Sequence, residues 1–231
     1  MEHTERIHQV SLKIAALAAV WGFACAAHGG LYPFSSGSLS QAILDNDRSG
    51  VAYGVNFTTA GLHITDVSVT FTITGGWNGD LYAYLSHDTS GTLILLTRVG
   101  VGNGTSGSTL YNYGYSGGGF NNITLSDSGS GNIHNYGGST LNIQPTAGAT
   151  YNADGGGSAT FGSTFGGQDP SGNWTLFFAD LSGGSVSTLT GWSLDITAVP
   201  EPVNVALGVF GVLFVGVTAA RWRLNRKACP A

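Results

Sequence analysis

From Leu62 onward the apolar side chains fall on alternate positions. Leu62 and Ile64, then Val67, Val69, Phe71 and Ile73, share one face, while Ser68, Thr70 and Thr72 take the other. A period of two is the geometry of an extended strand with one face buried. The pattern predicts a strand here, a turn at Gly75-Gly76-Trp77-Asn78-Gly79-Asp80, a second strand from Leu81 to Leu85 with Tyr82 and Tyr84 opposite, and a third from Leu93 to Leu96. Phe120 to Leu125, Trp174 to Ala179 and Trp192 to Ile196 resume strand character, the last two separated by a loop from Asp180 to Gly191. No amphipathic helical pattern occurs between His28 and Val199. The expected fold is therefore all-β, built on antiparallel sheet.

Composition supports a loop-rich β protein. Glycine supplies 37 of 231 residues, charged residues only 9%, and 42% hydrophobic content with 11% aromatic still suffices for a core. Two glycine-rich stretches, from Gly100 to Gly119 and from Gly129 to Gly162, read as long loops, the second broken by Leu141-Asn142-Ile143. Between His28 and Val199 stand ten Asp and two Arg, with no Lys and no Glu, a net charge of -8. Such a surface repels nucleic acid and anionic headgroups. Aspartate without glutamate suits tight turns, and calcium would be the natural counter-ion if one is needed. Both cysteines, Cys25 and Cys229, lie outside this stretch, so the body is expected to stand on its core without a disulfide.

The two ends read as addresses. In residues 1–27, Arg6 and Lys13 charge the front, Ile14 to Ala24 is apolar, and Ala24-Cys25-Ala26 offers an A-x-A-like cleavage site, the order of a secretory signal helix. Residues 28–44 read as a glycine- and serine-rich linker and residues 45–198 as the body. Residues 199–231 close the chain. There, Pro200-Glu201-Pro202 precedes eighteen uncharged residues, Val203 to Ala220, followed by Arg221, Arg223, Arg226 and Lys227 in a basic tail over 221–227. As a helix, eighteen residues reach about 27 Å, enough to cross a bilayer core, and the basic cluster holds that end in the cytoplasm with the body outside.

The order of rigid acidic tripeptide, short span and basic end resembles the PEP-CTERM sorting signal, which exopolysaccharide-making Gram-negative bacteria use for envelope proteins. The resemblance implies a membrane protease, exosortase, acting near Pro200-Glu201-Pro202. It also implies a protein that is membrane-anchored and then held in the envelope, at the surface or outside the cell. The body carries a second resemblance. Phe165-Gly166-Gly167-Gln168-Asp169-Pro170-Ser171-Gly172-Asn173-Trp174-Thr175-Leu176, with Asp180, Gly184, Thr188-Leu189 and Gly191-Trp192-Ser193-Leu194, is similar to the end of a P/Homo B domain. Gly79-Asp80-Leu81 and Phe120-Asn121-Asn122 fall upstream in the family's order. This resemblance implies a jelly-roll-like antiparallel β-sandwich, the module that follows the catalytic domain of proprotein convertases and many secreted subtilases. Asp80, Asp127 and Asp169 are the acidic residues at family-like positions for calcium; turn capping explains each about as well.

Catalysis is not expected of the body. In the proteases that carry this module the catalytic Asp, His and Ser belong to a separate preceding domain, and only about twenty residues separate the leader from the sandwich. Gly114-Tyr115-Ser116-Gly117-Gly118 satisfies G-x-S-x-G, but a nucleophile elbow needs a helix after the serine. His63, His87 and His134 lack zinc-ligand spacing. Tyr111, Tyr113 and Tyr115 alternate, as one face of a strand or as exposed aromatics for sugar binding. Asn56, Asn103, Asn122 and Asn173 each begin an N-x-S/T sequon, which chance supplies in a chain so rich in Asn and Thr. The reading is a non-catalytic exported envelope protein, a surface, matrix or adhesion component, with exosortase and the membrane as partners and exopolysaccharide or a separate subtilisin-like protease as further ones. No cofactor is expected beyond calcium.

Overall fold

The computed structural model describes residues 29–59 and 61–227, with the side chains of 202–205 and 223–227 left aside. The predicted signal segment lies outside the described residues. The chain divides into two units, and Gly30–Ala198 is the body.

The body is two sheets facing each other across one core. Its strands are β1 (Gly30–Ser35), β2 (Gln41–Ile43), β3 (Val51–Phe57), β4 (Leu62–Gly75), β5 (Leu81–His87), β6 (Gly91–Thr97), β7 (Gly119–Leu125), β8 (Thr150–Tyr151), β9 (Gly172–Asp180) and β10 (Ser187–Pro200). One sheet runs β1-β10-β4-β7-β8, with β2 also on β10; the other runs β3-β9-β5-β6. The pairs β1–β10, β2–β10, β3–β9, β9–β5, β5–β6 and β4–β7 are antiparallel, and the short β7–β8 pair is parallel. In β5, Leu81, Ala83, Leu85 and His87 point inward, in the alternation the sequence predicts. In β4, Thr65 and Asp66 are both exposed, so the inward face changes phase between Ile64 and Val67, as the spacing of the apolar residues requires.

Aromatic rings join the layers. Phe71 of β4 meets Phe120 of β7 at 5.5 Å and Phe178 of β9, in the facing sheet, at 5.4 Å, both edge-on. Edge-on pairs of this kind add about 0.5–1.5 kcal/mol beyond the area they bury. Trp174 and Trp192 are core residues. The Trp174 indole stacks on His87 and donates to the Pro170 carbonyl at 3.0 Å. Trp192 packs on Phe34 and Tyr53.

Several elements differ from expectation. Residues 28–44, read as a linker, hold β1 and β2, because the fourteen-residue β10 extends far enough to pair with both. Tyr32 and Phe34 pack against the core between outward positions, an alternation too short to stand out among glycines and serines. Likewise β3 places Val51, Tyr53, Val55 and Phe57 inward. The loop expected from Asp180 to Gly191 ends at Val186, since Ser187 and Leu189 already point into the core. The first glycine-rich stretch contains a five-residue helix, α1 (Thr109–Tyr113), capped by Ser108, whose hydroxyl accepts from the Tyr111 amide. Tyr111 and Tyr113 are exposed on it while Tyr115 is fully buried, so the three tyrosines do not line one strand face. A second short helix, α2 (Phe161–Phe165), starts in a capping box between Thr160 and Ser163.

Beyond the body, Pro200 ends β10 and Pro202 opens helix α3 (Pro202–Lys227). Proline suits a first helical position, where its missing N–H is not needed. Leu207, Phe210, Val212, Leu213, Phe214, Val215 and Val217 are all exposed, and successive 100° steps spread them around the helix. Among the described residues no helix is long and apolar enough to cross a membrane. Described side chains in α3 run from 206 to 222, so the first part of the run Val203 to Ala220 falls outside that statement.

Candidate functional site

The turn between β4 and β5 is tied to several other parts of the body. Asn78 is fully buried; its amide donates to the Gly119 carbonyl (2.9 Å) and to the Tyr136 hydroxyl (3.0 Å), and its side-chain oxygen accepts from the Gly119 amide (2.8 Å). The backbone amides of Asn78 and Gly79 donate to Gly117 and Tyr115. Gly79 lies so close to the Tyr113 carbonyl that no Cβ fits, which is why glycine stands there. Five hydrogen bonds therefore tie the turn to Tyr115, Gly117, Gly119 and Tyr136, and the close approach of Gly79 sets the end of α1 beside it.

Carboxylates gather at the same corner. Asp80 is only 2% exposed, with the Arg98 guanidinium 3.9 Å away. Arg98 also donates through Nε to the Gly79 carbonyl. Asp180, fully buried, accepts from the Ser182 and Asn46 amides on Oδ1, whereas its Oδ2 has no partner. Asp45 accepts from the Gly184 amide. Burial, then the charge of Asp180, pushes the Asp80 carboxyl up to about 6 against the opposing pull of Arg98 and of the Ser182 hydrogen bond. Burial likewise raises Asp180. The loop after β9 thus crosses all three carboxylates through Ser182 and Gly184. Between that loop and α1 opens a cleft of about 300 Å³ lined by Trp77, Asp80, Thr109, Tyr113, Ser182 and Gly184.

The other predicted positions serve locally. Asp127 accepts from the Phe161 and Gly162 amides at the start of α2, at 2.9 and 2.7 Å. Asp169 accepts from the amide and hydroxyl of Ser171, and the hydroxyl bond leads in holding it below the usual carboxylate range. Asp80, Asp127 and Asp169 are not brought together, and among the described residues no group of three His, Cys, Asp or Glu is arranged to hold a metal ion. Ser116 donates to the Leu141 carbonyl, and the next element is strand β7, where an elbow would need a helix.

The histidines occupy separate places. His63 bonds the Gly167 carbonyl, and His87 bridges Ser90 and the Ser171 carbonyl. His134 sits between Asp154 (2.8 Å) and the Val101 carbonyl (2.9 Å). With acceptors on both ring nitrogens, the imidazolium satisfies the site best, and the Asp154 hydrogen bond raises its pKa. In the predicted sorting segment, Pro200, Glu201 and Pro202 join β10 to α3; Arg221 is exposed on α3, and Arg223 and Arg226 lie in its last turns, their side chains outside the described set.

No family model matches the chain, and no curated protein does. Among solved structures, it is similar to the serine protease of Aeromonas sobria in complex with the chaperone ORF2, at 14% identity and a TM-score of 0.43, over 74% of this chain. The same protease alone gives 13% identity and a TM-score of 0.40 over 73% of this chain. This chain spans 28% and 27% of those chains.

Proposed function

We propose that this is a non-catalytic, exported cell-envelope protein whose jelly-roll-like β-sandwich is carried to the outer side of the membrane and held there by its C-terminal segment. Residues 1–27 direct export. The run Val203 to Ala220 spans the bilayer, the basic tail stays in the cytoplasm, and an exosortase-type membrane protease acts at Pro200-Glu201-Pro202. The mature body then serves as a surface, matrix or adhesion component.

The observation that carries this reading is the tail: an acidic tripeptide between prolines, an apolar helix whose side chains face outward all round, then a basic end. A helix apolar on every side is stable only inside a large core or inside lipid. Deleting Val199 to Ala231 is expected to send the body to the medium uncut. Identical fractionation of truncated and full chains overturns the reading.

A second reading rests on the residues shared with P/Homo B domains from Phe165 to Leu194: an accessory module that stabilises or targets a separate subtilisin-like protease. Co-purification with such a protease supports it, and a body that captures none counts against it.

A further inference from the structure

The cleft between the Trp77 corner and the loop after β9 has the chemistry of a sugar site. Two aromatic side chains line it, Trp77 and Tyr113, the latter 50% exposed, and the remaining lining is carboxylate, hydroxyl and glycine. No aliphatic side chain is among them. An apolar peptide anchor or a lipid tail would find no leucine or valine wall there. A pyranose offers the matching surface, a face of C–H bonds that lies on an aromatic ring and a rim of hydroxyls that seek acceptors and donors.

We propose that this cleft binds a neutral oligosaccharide, with Trp77 and Tyr113 as the stacking rings and Asp80, Thr109 and Ser182 as hydrogen-bonding partners for the sugar hydroxyls. Asp80 supplies a carboxylate acceptor at the floor, where a charge-assisted hydrogen bond is strongest. The volume, about 300 Å³, lies at the lower end of small-molecule pockets and suits a short stretch of a chain whose ends continue into solvent. The walls are fixed before any ligand arrives: Asn78 ties the turn to Gly119, Gly79 abuts the Tyr113 carbonyl, and the Gly184 amide is held by Asp45. Preorganisation of this kind lowers the entropy cost of binding. Neutrality follows from charge. Asp80, Asp180 and Asp45 gather at this corner with Arg98 as the opposing charge, in a body of net charge -8, so uronate or sulfated chains meet like charge at its mouth.

The inference gives a ligand class to the body that the proposed function places at the cell surface, and its test needs no sorting machinery. Full chain is purified in a zwitterionic detergent, because sugar-headed detergents would compete. Cellopentaose, maltopentaose and an oligo-alginate are titrated by calorimetry. At least one neutral pentasaccharide is expected to bind and the alginate not. Removing a stacking ring costs about tenfold in affinity, so Trp77→Ala and Tyr113→Ala each weaken binding by that much, while Tyr113→Phe retains it. Because Tyr113 is half exposed, its variants keep the test valid should Trp77→Ala fail to fold. The proposal falls if neither neutral sugar binds, if binding survives loss of Tyr113 unchanged, or if alginate binds as tightly. Any of these outcomes leaves the export reading standing, and identical fractionation of truncated and full chains leaves the cleft standing.

Discussion

Two parts of this chain treat apolar side chains in opposite ways. In the body Phe71, Phe120, Trp174 and Phe178 are at most 1% exposed, packed between sheets. In α3, Phe210 and Phe214 are 69% and 72% exposed. The same residue type is thus buried in one part and exposed in the other. Burial of a phenylalanine in the body lowers the free energy of the fold by about 1.5–3 kcal/mol, whereas the helix gains that much only in a medium that is itself apolar. The body carries its own apolar interior; under the proposed reading the tail takes one from the bilayer.

The contrast can be broken from either side. Phe178→Ala removes the ring that bridges the sheets and is expected to cost the body about 3–5 kcal/mol, read as a lowered denaturation midpoint, with no change in membrane retention of folded protein. A midpoint that does not move would show that Phe178 is not central to the core. Val212→Arg places a charge near the middle of the apolar run and should cost about 2.5–3.5 kcal/mol of insertion while the body melts as before. A shift in the body's melting would mean that the two parts share a stability, contrary to the contrast.

Within the body, Asn78→Ala strands the paired groups of Gly119 and is expected to cost about 1–3 kcal/mol. Smaller effects come from titration. The His134 pKa is raised by Asp154, so its contribution is fully present below about 6.5 and is lost as pH rises through the folded value. Asp80 is also raised, from 3.8 to about 6, and protonation favours the fold, so stability falls as pH rises across that interval. Melting curves from acid to neutral pH should show both declines. His134→Gln should flatten the upper one and Asp80→Asn the lower; a variant that leaves its decline intact refutes the assignment.

Strand β4 was legible because Val67, Val69, Phe71 and Ile73 alternate without interruption. Strands β1 and β2 were not, since Tyr32 and Phe34 sit in a glycine- and serine-rich stretch and β2, which pairs with the long β10, has three residues, too few to show an alternation. The turn at Trp77 to Asp80 could be read from its glycines. Its partners could not: Arg98, Asp45 and Asp180 arrive from three other places in the chain, and Asp180 reads only as the start of a loop and as one of the P/Homo B-like positions. Tyr113 reads as a strand residue by spacing with Tyr111 and Tyr115, yet Ser108 caps a helix there and turns Tyr113 to the surface. Local patterns reveal strands; convergence of distant side chains on one cleft leaves no local pattern.

The proposed insertion of the tail into the membrane is tested most directly by alkaline carbonate extraction. The full chain is expressed in a bacterium without an exosortase, so that the segment stays attached. The account predicts that it remains in the membrane pellet after washing, and that the chain carrying Val212→Arg and Val215→Arg is released. Recovery of the unaltered, uncut chain in the carbonate supernatant would contradict it.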